Sequence, residues 1–78
     1  MQPEPLVRMA NQIGTFFSAM PDRAEAIDDI ALHLKKFWEP RMRRALLAHV
    51  DRHASDSEGT GLSDIVFQAV TAHREMLA

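Results

Sequence analysis

No cysteine occurs among the 78 residues, and that absence alone excludes a disulfide framework, a thiolate metal site, an iron–sulfur cluster and a cysteine nucleophile. Tyrosine is also missing, and there is a single Trp. With only three Gly, no glycine-rich loop follows a strand to cradle a phosphate. No apolar run approaches the ~20 residues of a membrane span. The first residues, Met1 to Pro5, carry Glu4 where a leader would have a basic region, and no apolar core of a leader follows. Export is therefore not expected, nor is membrane contact. Cations do not dominate either: nine Lys and Arg stand against eleven Asp and Glu, a net charge of -2. Nucleic-acid modules usually carry a clear positive excess, so no nucleic-acid partner is expected.

What is present is 46% hydrophobic and 26% charged residues, a balance suited to one folded domain. A chain this short buries only roughly 60 to 65% of the surface its unfolded form exposes. Lacking disulfide or metal staples, it must rely on packing or on a partner.

The apolar periodicity predicts an all-α domain of about four short amphipathic helices, as a bundle or an orthogonal array. The first, over 5–20, carries Leu6, Met9, Ala10, Ile13, Phe16, Phe17 and Met20 at steps of three and four, with a weak spot at Gly14 and a stop at Pro21. Asp22 and Glu25 form a capping-box pattern ahead of a second helix over 23–38, whose stripe is Ile27, Ile30, Ala31, Leu34, Phe37 and Trp38. Glu39 reads as a bend, because Pro40 disfavours a helical residue before it yet suits the first position of a third helix, 40–53. Met42, Leu46 and Val50 form that helix's apolar face. The polar stretch 54–61 has no periodicity and reads as a mobile linker. Ser63 then caps a last helix, 64–77, with Ile65, Val66, Ala69, Val70, Met76 and Leu77 inward.

Residues able to carry chemistry are sparse. His49 and His53 are four apart, a spacing that can share a metal ion, but no Glu adjoins His49 as a hydrolytic zinc helix requires, and no third ligand is fixed by sequence. Histidines in a last turn also serve structure, by bonding free carbonyls. The serines fall on a helix face, in the linker and at a cap, and four short helices rarely enclose the cleft that acid–base work needs. No catalytic, cofactor or metal residue is assigned.

The densest feature is KKFWEPRMRR, Lys35 to Arg44, with five cations, a Phe, the only Trp and the bend at Pro40. One reading puts Phe37 and Trp38 in the core and the cations in water. A second pairs the cations with phosphates and stacks Trp38 on a base, which the acidic total opposes. A third is a protein interface, where Arg forks and a large aromatic act together. On that reading the contact residues are Trp38, Glu39, Pro40, Arg41, Met42, Arg43 and Arg44. Leu32, which projects away from its helix's stripe, joins them, with Asn11 and Gln12 on the polar side of the first helix as the next candidates. Phe67, also off its stripe, is expected to staple onto Leu62.

Two blocks, MANQIGTFFSAMP at Met9 to Pro21 and FWEPRMRRAL at Phe37 to Leu46, together with GLSDIV at Gly61, resemble the delta subunits of soluble NAD-dependent formate dehydrogenases. The resemblance implies a small cytoplasmic subunit, not itself an enzyme, that accompanies a large catalytic subunit. In such complexes a bis-molybdopterin guanine dinucleotide with molybdenum or tungsten, iron–sulfur clusters, FMN and NAD sit on other subunits, and no residue here matches a motif for them. The role it implies is to bind and stabilise the large subunit, the alternative being a maturation chaperone for cofactor insertion. In isolation the chain also has the option of self-association.

Overall fold

Helix α2, Arg23–Phe37, is the centre of the molecule. The Asp22 carboxylate accepts from the Glu25 N–H at 3.2 Å, which fixes its start, and Lys35 and Lys36 occupy its last turn, where cations suit the negative helix end. In the computed structural model, which describes residues 2–53 and 55–78, α2 packs against every other α-helix: α1 (Pro3–Phe17), α3 (Pro40–Arg52), α4 (Asp64–Ala72) and α5 (Arg74–Leu77). A 3₁₀ turn, Ser57–Thr60, lies between α3 and α4, and there is no strand among the described residues. The all-α fold expected from periodicity is the fold observed.

Ala26, Ile30, Ala31 and Leu34 of α2 are buried, and Leu6 and Ala10 of α1, Leu46, Leu47 and Val50 of α3, Val66, Ala69 and Val70 of α4 and Leu77 of α5 close around them. The radius of gyration is 11.2 Å, against about 11.5 Å for a compact chain of this length. The core is therefore closed by this chain alone.

Three expectations need correction. The last helix is not continuous: His73 leaves the helical conformation and separates α4 from α5. The stripe of Ile65, Val66, Ala69 and Val70, continued without a break, would drive positions 73 and 74 into the core, and these are His and Arg. The break instead lets His73 bond Asp28 at 2.7 Å and Arg74 pair with Asp51, while Leu77 takes the core position. The first helix begins at Pro3 and ends at Phe17 rather than spanning 5–20.

The stretch expected as a mobile linker is structured where it is described; its first residue, Ala54, lies outside the described residues. The Gly59 N–H donates to Asp56 Oδ1 at 3.2 Å, and the buried Thr60 hydroxyl donates to Ser57 O at 2.6 Å and accepts from the Leu62 N–H at 3.1 Å. His49 Nε2 donates to Thr60 O at 2.8 Å. Gly61, at φ +78°, makes the left-handed turn that releases the chain toward α4.

Candidate interaction site

The Asn11 side chain spans two elements. Its amide N–H donates to Gly61 O and its carbonyl accepts from the Ser63 N–H, both at 2.9 Å. Ser63 is the N-cap of α4, as expected, but its own hydroxyl makes no capping bond. Asn11 thus acts inside the fold, holding the segment before α4 against α1, and is not a free contact residue. Asn11→Ala should lose about 1–2 kcal/mol for two partly exposed hydrogen bonds, read as a lower urea midpoint. An unchanged midpoint would show that water replaces both bonds at no cost. Gln12, one residue on, is exposed.

The Lys35–Arg44 segment divides between interior and surface. Trp38 leaves the end of α2 in an extended conformation and is 7% exposed, so the indole lies in the core. Phe37, expected in that stripe, is 71% exposed. Both positions lie on the inner face by helical spacing, and the bend before Pro40 admits one ring and turns the other out. Arg43 is also displaced from the expected surface. It is 8% exposed, its Nη1 lies 3.5 Å from the Met76 carbonyl near the end of α5, and its Nε has no partner. The Met76 carbonyl belongs to a final turn, where carbonyls lack helical donors, so the guanidinium serves helix-end packing. Met42 is half-buried against the core, while Glu39, Pro40, Arg41 and Arg44 are exposed. Arg41, Arg44 and Arg52 border a shallow trough floored by Ala45 and Ala48 beside Pro3.

A group of exposed apolar side chains lies on α1 and α2, of which the sequence singled out only Leu32. Phe16 is 75% exposed, and Phe37, Leu32 and Met9 are exposed with it. Four rings run across α1 and α2 in a row. Phe16 meets Phe17 edge-on at 5.1 Å between centroids, Phe17 meets His33 at 6.0 Å, and His33 meets Phe37 at 4.7 Å. Phe17 and His33 separate two hollows. The larger, about 400 Å³, is walled also by Met9, Ile13, Phe16 and Trp38. The smaller, about 200 Å³, is walled by Leu32, Phe37, Asp29 and Lys36. A signal did exist: Met9 and Phe16 sit at the margin of the first stripe, Phe16 about 100° round the helix from Phe17. A stripe that wide exceeds what one neighbouring helix covers.

His49 and His53 face each other edge-on at 5.1 Å, with His49 tied to Thr60 as above. No group of three or more His, Asp or Glu among the described residues stands where it could hold a metal ion, and the chain has no Cys. These donors do not fit a molybdenum centre or an iron–sulfur cluster. No helix among the described residues is long and apolar enough to cross a membrane.

A family model described as NADH-dependant formate dehydrogenase delta subunit FdsD matches residues 5–70. The chain belongs to that family. No curated protein and no solved structure matches it. The match runs from the first turn of α1 to Val70 of α4. It takes in the Asn11 clamp, the whole aromatic row and the Lys35–Arg44 segment, and leaves α5 outside. As a formate dehydrogenase delta subunit, the chain presents a closed helical core, with exposed aromatic rings rather than an enclosed polar cleft as its outstanding surface feature.

Proposed function

We propose that this delta subunit is a non-catalytic accessory subunit that binds and stabilises the large molybdopterin-containing subunit of an NAD-dependent formate dehydrogenase in the cytoplasm. The observation that carries the reading is the row from Phe16 to Phe37, whose two end rings, Phe16 and Phe37, are left in water by a domain that has already closed its core. Aromatic rings concentrated on one small face are the usual anchors of protein interfaces. Gln12, Leu32, Glu39, Pro40, Arg41, Met42 and Arg44 are the expected contacts from the sequence that are exposed or half-buried and, unlike Asn11, are not tied into the fold by side-chain hydrogen bonds among the described residues. Trp38 walls the larger hollow from the core side, and Arg43 packs against the end of α5 instead.

A partner that binds the folded enzyme stabilises it by mass action. Deleting the subunit should therefore lower the yield and cofactor content of assembled complex more than the turnover of molecules that do assemble, as read by metal content and kcat per molybdenum or tungsten atom. A stable, fully loaded complex without the chain would refute the proposal. Recovery of the chain on cofactor-free enzyme alone would replace it with the maturation-chaperone reading.

A further inference from the structure

We propose that the trough along α3 is a docking site for a carboxylate-bearing helix of the large subunit, held by the guanidiniums of Arg41, Arg44 and Arg52. The inference rests on the accessory-subunit reading and adds the surface and the chemistry of its partner.

Charge selects the occupant. Arg41, Arg44 and Arg52 line the trough with Pro3, Ala45 and Ala48, and no acid lines it. None of the three arginines has an ion pair among the described residues, whose ion pairs are His73–Asp28 and Arg74–Asp51. The acids nearest in sequence do not relieve the excess. Asp51 is paired with Arg74, Glu39 is the N-cap ahead of the helix, and Glu4 follows Pro3 but does not reach the trough lining. Across α3 as a whole, four arginines stand against Asp51 alone.

One of these cations also stands where its own helix disfavours it. Arg41 lies in the first turn of α3, at the positive end of the helix dipole, and no acid shares that turn. In α2 the arrangement is the favourable one, with Glu25 in the first turn and Lys35 and Lys36 in the last. A local cost that the fold does not offset is the mark of a functional surface. A bound carboxylate would offset it.

Shape narrows the anion to one carried on a helix. Arg41 and Arg52 are eleven residues apart, about 16 Å along the axis at ~1.5 Å per residue, which a single phosphate cannot span. A partner helix with Asp or Glu on successive turns presents carboxylates about 5.4 Å apart along its axis, and arginine forks match them in pairs. Ala45 and Ala48 lie on the floor between the arginines, with no long side chain to hold such a helix away. A nucleic-acid strand fits less well, because no aromatic ring lines the trough to stack on a base and the chain carries a net charge of -2. A second copy bound through a two-fold contact would set these arginines against their equivalents, and like charges brought together oppose such a contact.

The test is the affinity of the full-length chain for the separately purified large subunit, by surface-immobilised binding over a range of salt. Arg41→Gln with Arg44→Gln should bind at least about tenfold more weakly and with a flatter salt dependence. The helical circular dichroism and urea midpoint should stay at the wild-type values, because both side chains are exposed. Lys35→Gln with Lys36→Gln removes the same charge outside the trough and should bind nearly as the wild type does. Arg44→Lys should then be coupled by a carbodiimide to an Asp or Glu of the large subunit, located by mass spectrometry. If the wild type binds and the double Arg variant binds equally well, or if the lysine pair matters as much, the trough is wrong while the accessory role stands. If the wild type does not bind at all, the accessory role falls first and the trough with it. The trough is also overturned if its arginines hold a single-stranded oligonucleotide in place of the large subunit, or if the wild type sediments as a dimer that the Arg changes dissociate.

Discussion

Trp38→Ala should remove a large part of the stability of this protein. Truncating a buried Trp costs about 3–5 kcal/mol, from lost transfer energy and from the cavity left behind. A chain of 78 residues has roughly 4–12 kcal/mol in total. The indole is 7% exposed and also walls the larger hollow, so the loss should appear both as a sharply lower urea midpoint and as weaker association. Trp38→Phe, which leaves a smaller void, should retain a cooperative transition. A wild-type midpoint for Trp38→Ala would show that the ring does not seal the core.

Gly14→Ala is the second, and its sign is informative. An interior Gly to Ala change in a helix ordinarily gains up to ~1 kcal/mol from propensity. Here the glycine is buried where α1 meets α4, and a Cβ would come closer to Val66 Cγ2 than real side chains approach. Val66 is fully buried and β-branched, so it has little freedom to yield. Overpacking of this kind typically costs about 1–3 kcal/mol, which outweighs the propensity gain over most of its range. Net destabilisation is expected. The next atoms a Cβ would meet, Ser63 Oγ at 3.4 Å and Ile65 Cγ2 at 3.5 Å, are close to ordinary contacts. Gly14→Ala made in a Val66→Ala background should therefore become neutral or stabilising. Destabilisation of equal size in both backgrounds would refute the close-approach account.

Gly14 also shows how far the sequence could be read. From periodicity it is a weak spot in a helix; its use, a close crossing of two helices, depends on a contact between residues 52 apart in sequence. Local signals were legible: the Asp22 cap, the start of α3 at Pro40, and the α2 stripe from Ile30 to Leu34 all appear in the structure. Competition between neighbours was not. Phe37 and Trp38 are both eligible for the core by spacing, and the bend decides between them. Arg43 resembles Arg41 and Arg44 until α5 packs over it. Thr60 and Asn11 look like loop and solvent-face residues because their hydrogen-bond partners come from a loop that has no pattern.

The same long-range contacts set the order in which the protein can form. Asn11 bonds to residues 61 and 63, and Gly14 receives Val66, so the inner face of the first helix is completed by the last third of the chain. At roughly 5–20 residues per second of synthesis, the fifty or so intervening residues take about three to ten seconds to be added. During that interval Gly14 lacks the Val66 side chain it packs beside, and premature termination before residue 61 would leave α1 with neither its clamp nor its crossing helix. Such fragments should be substrates for proteolysis rather than shorter working subunits.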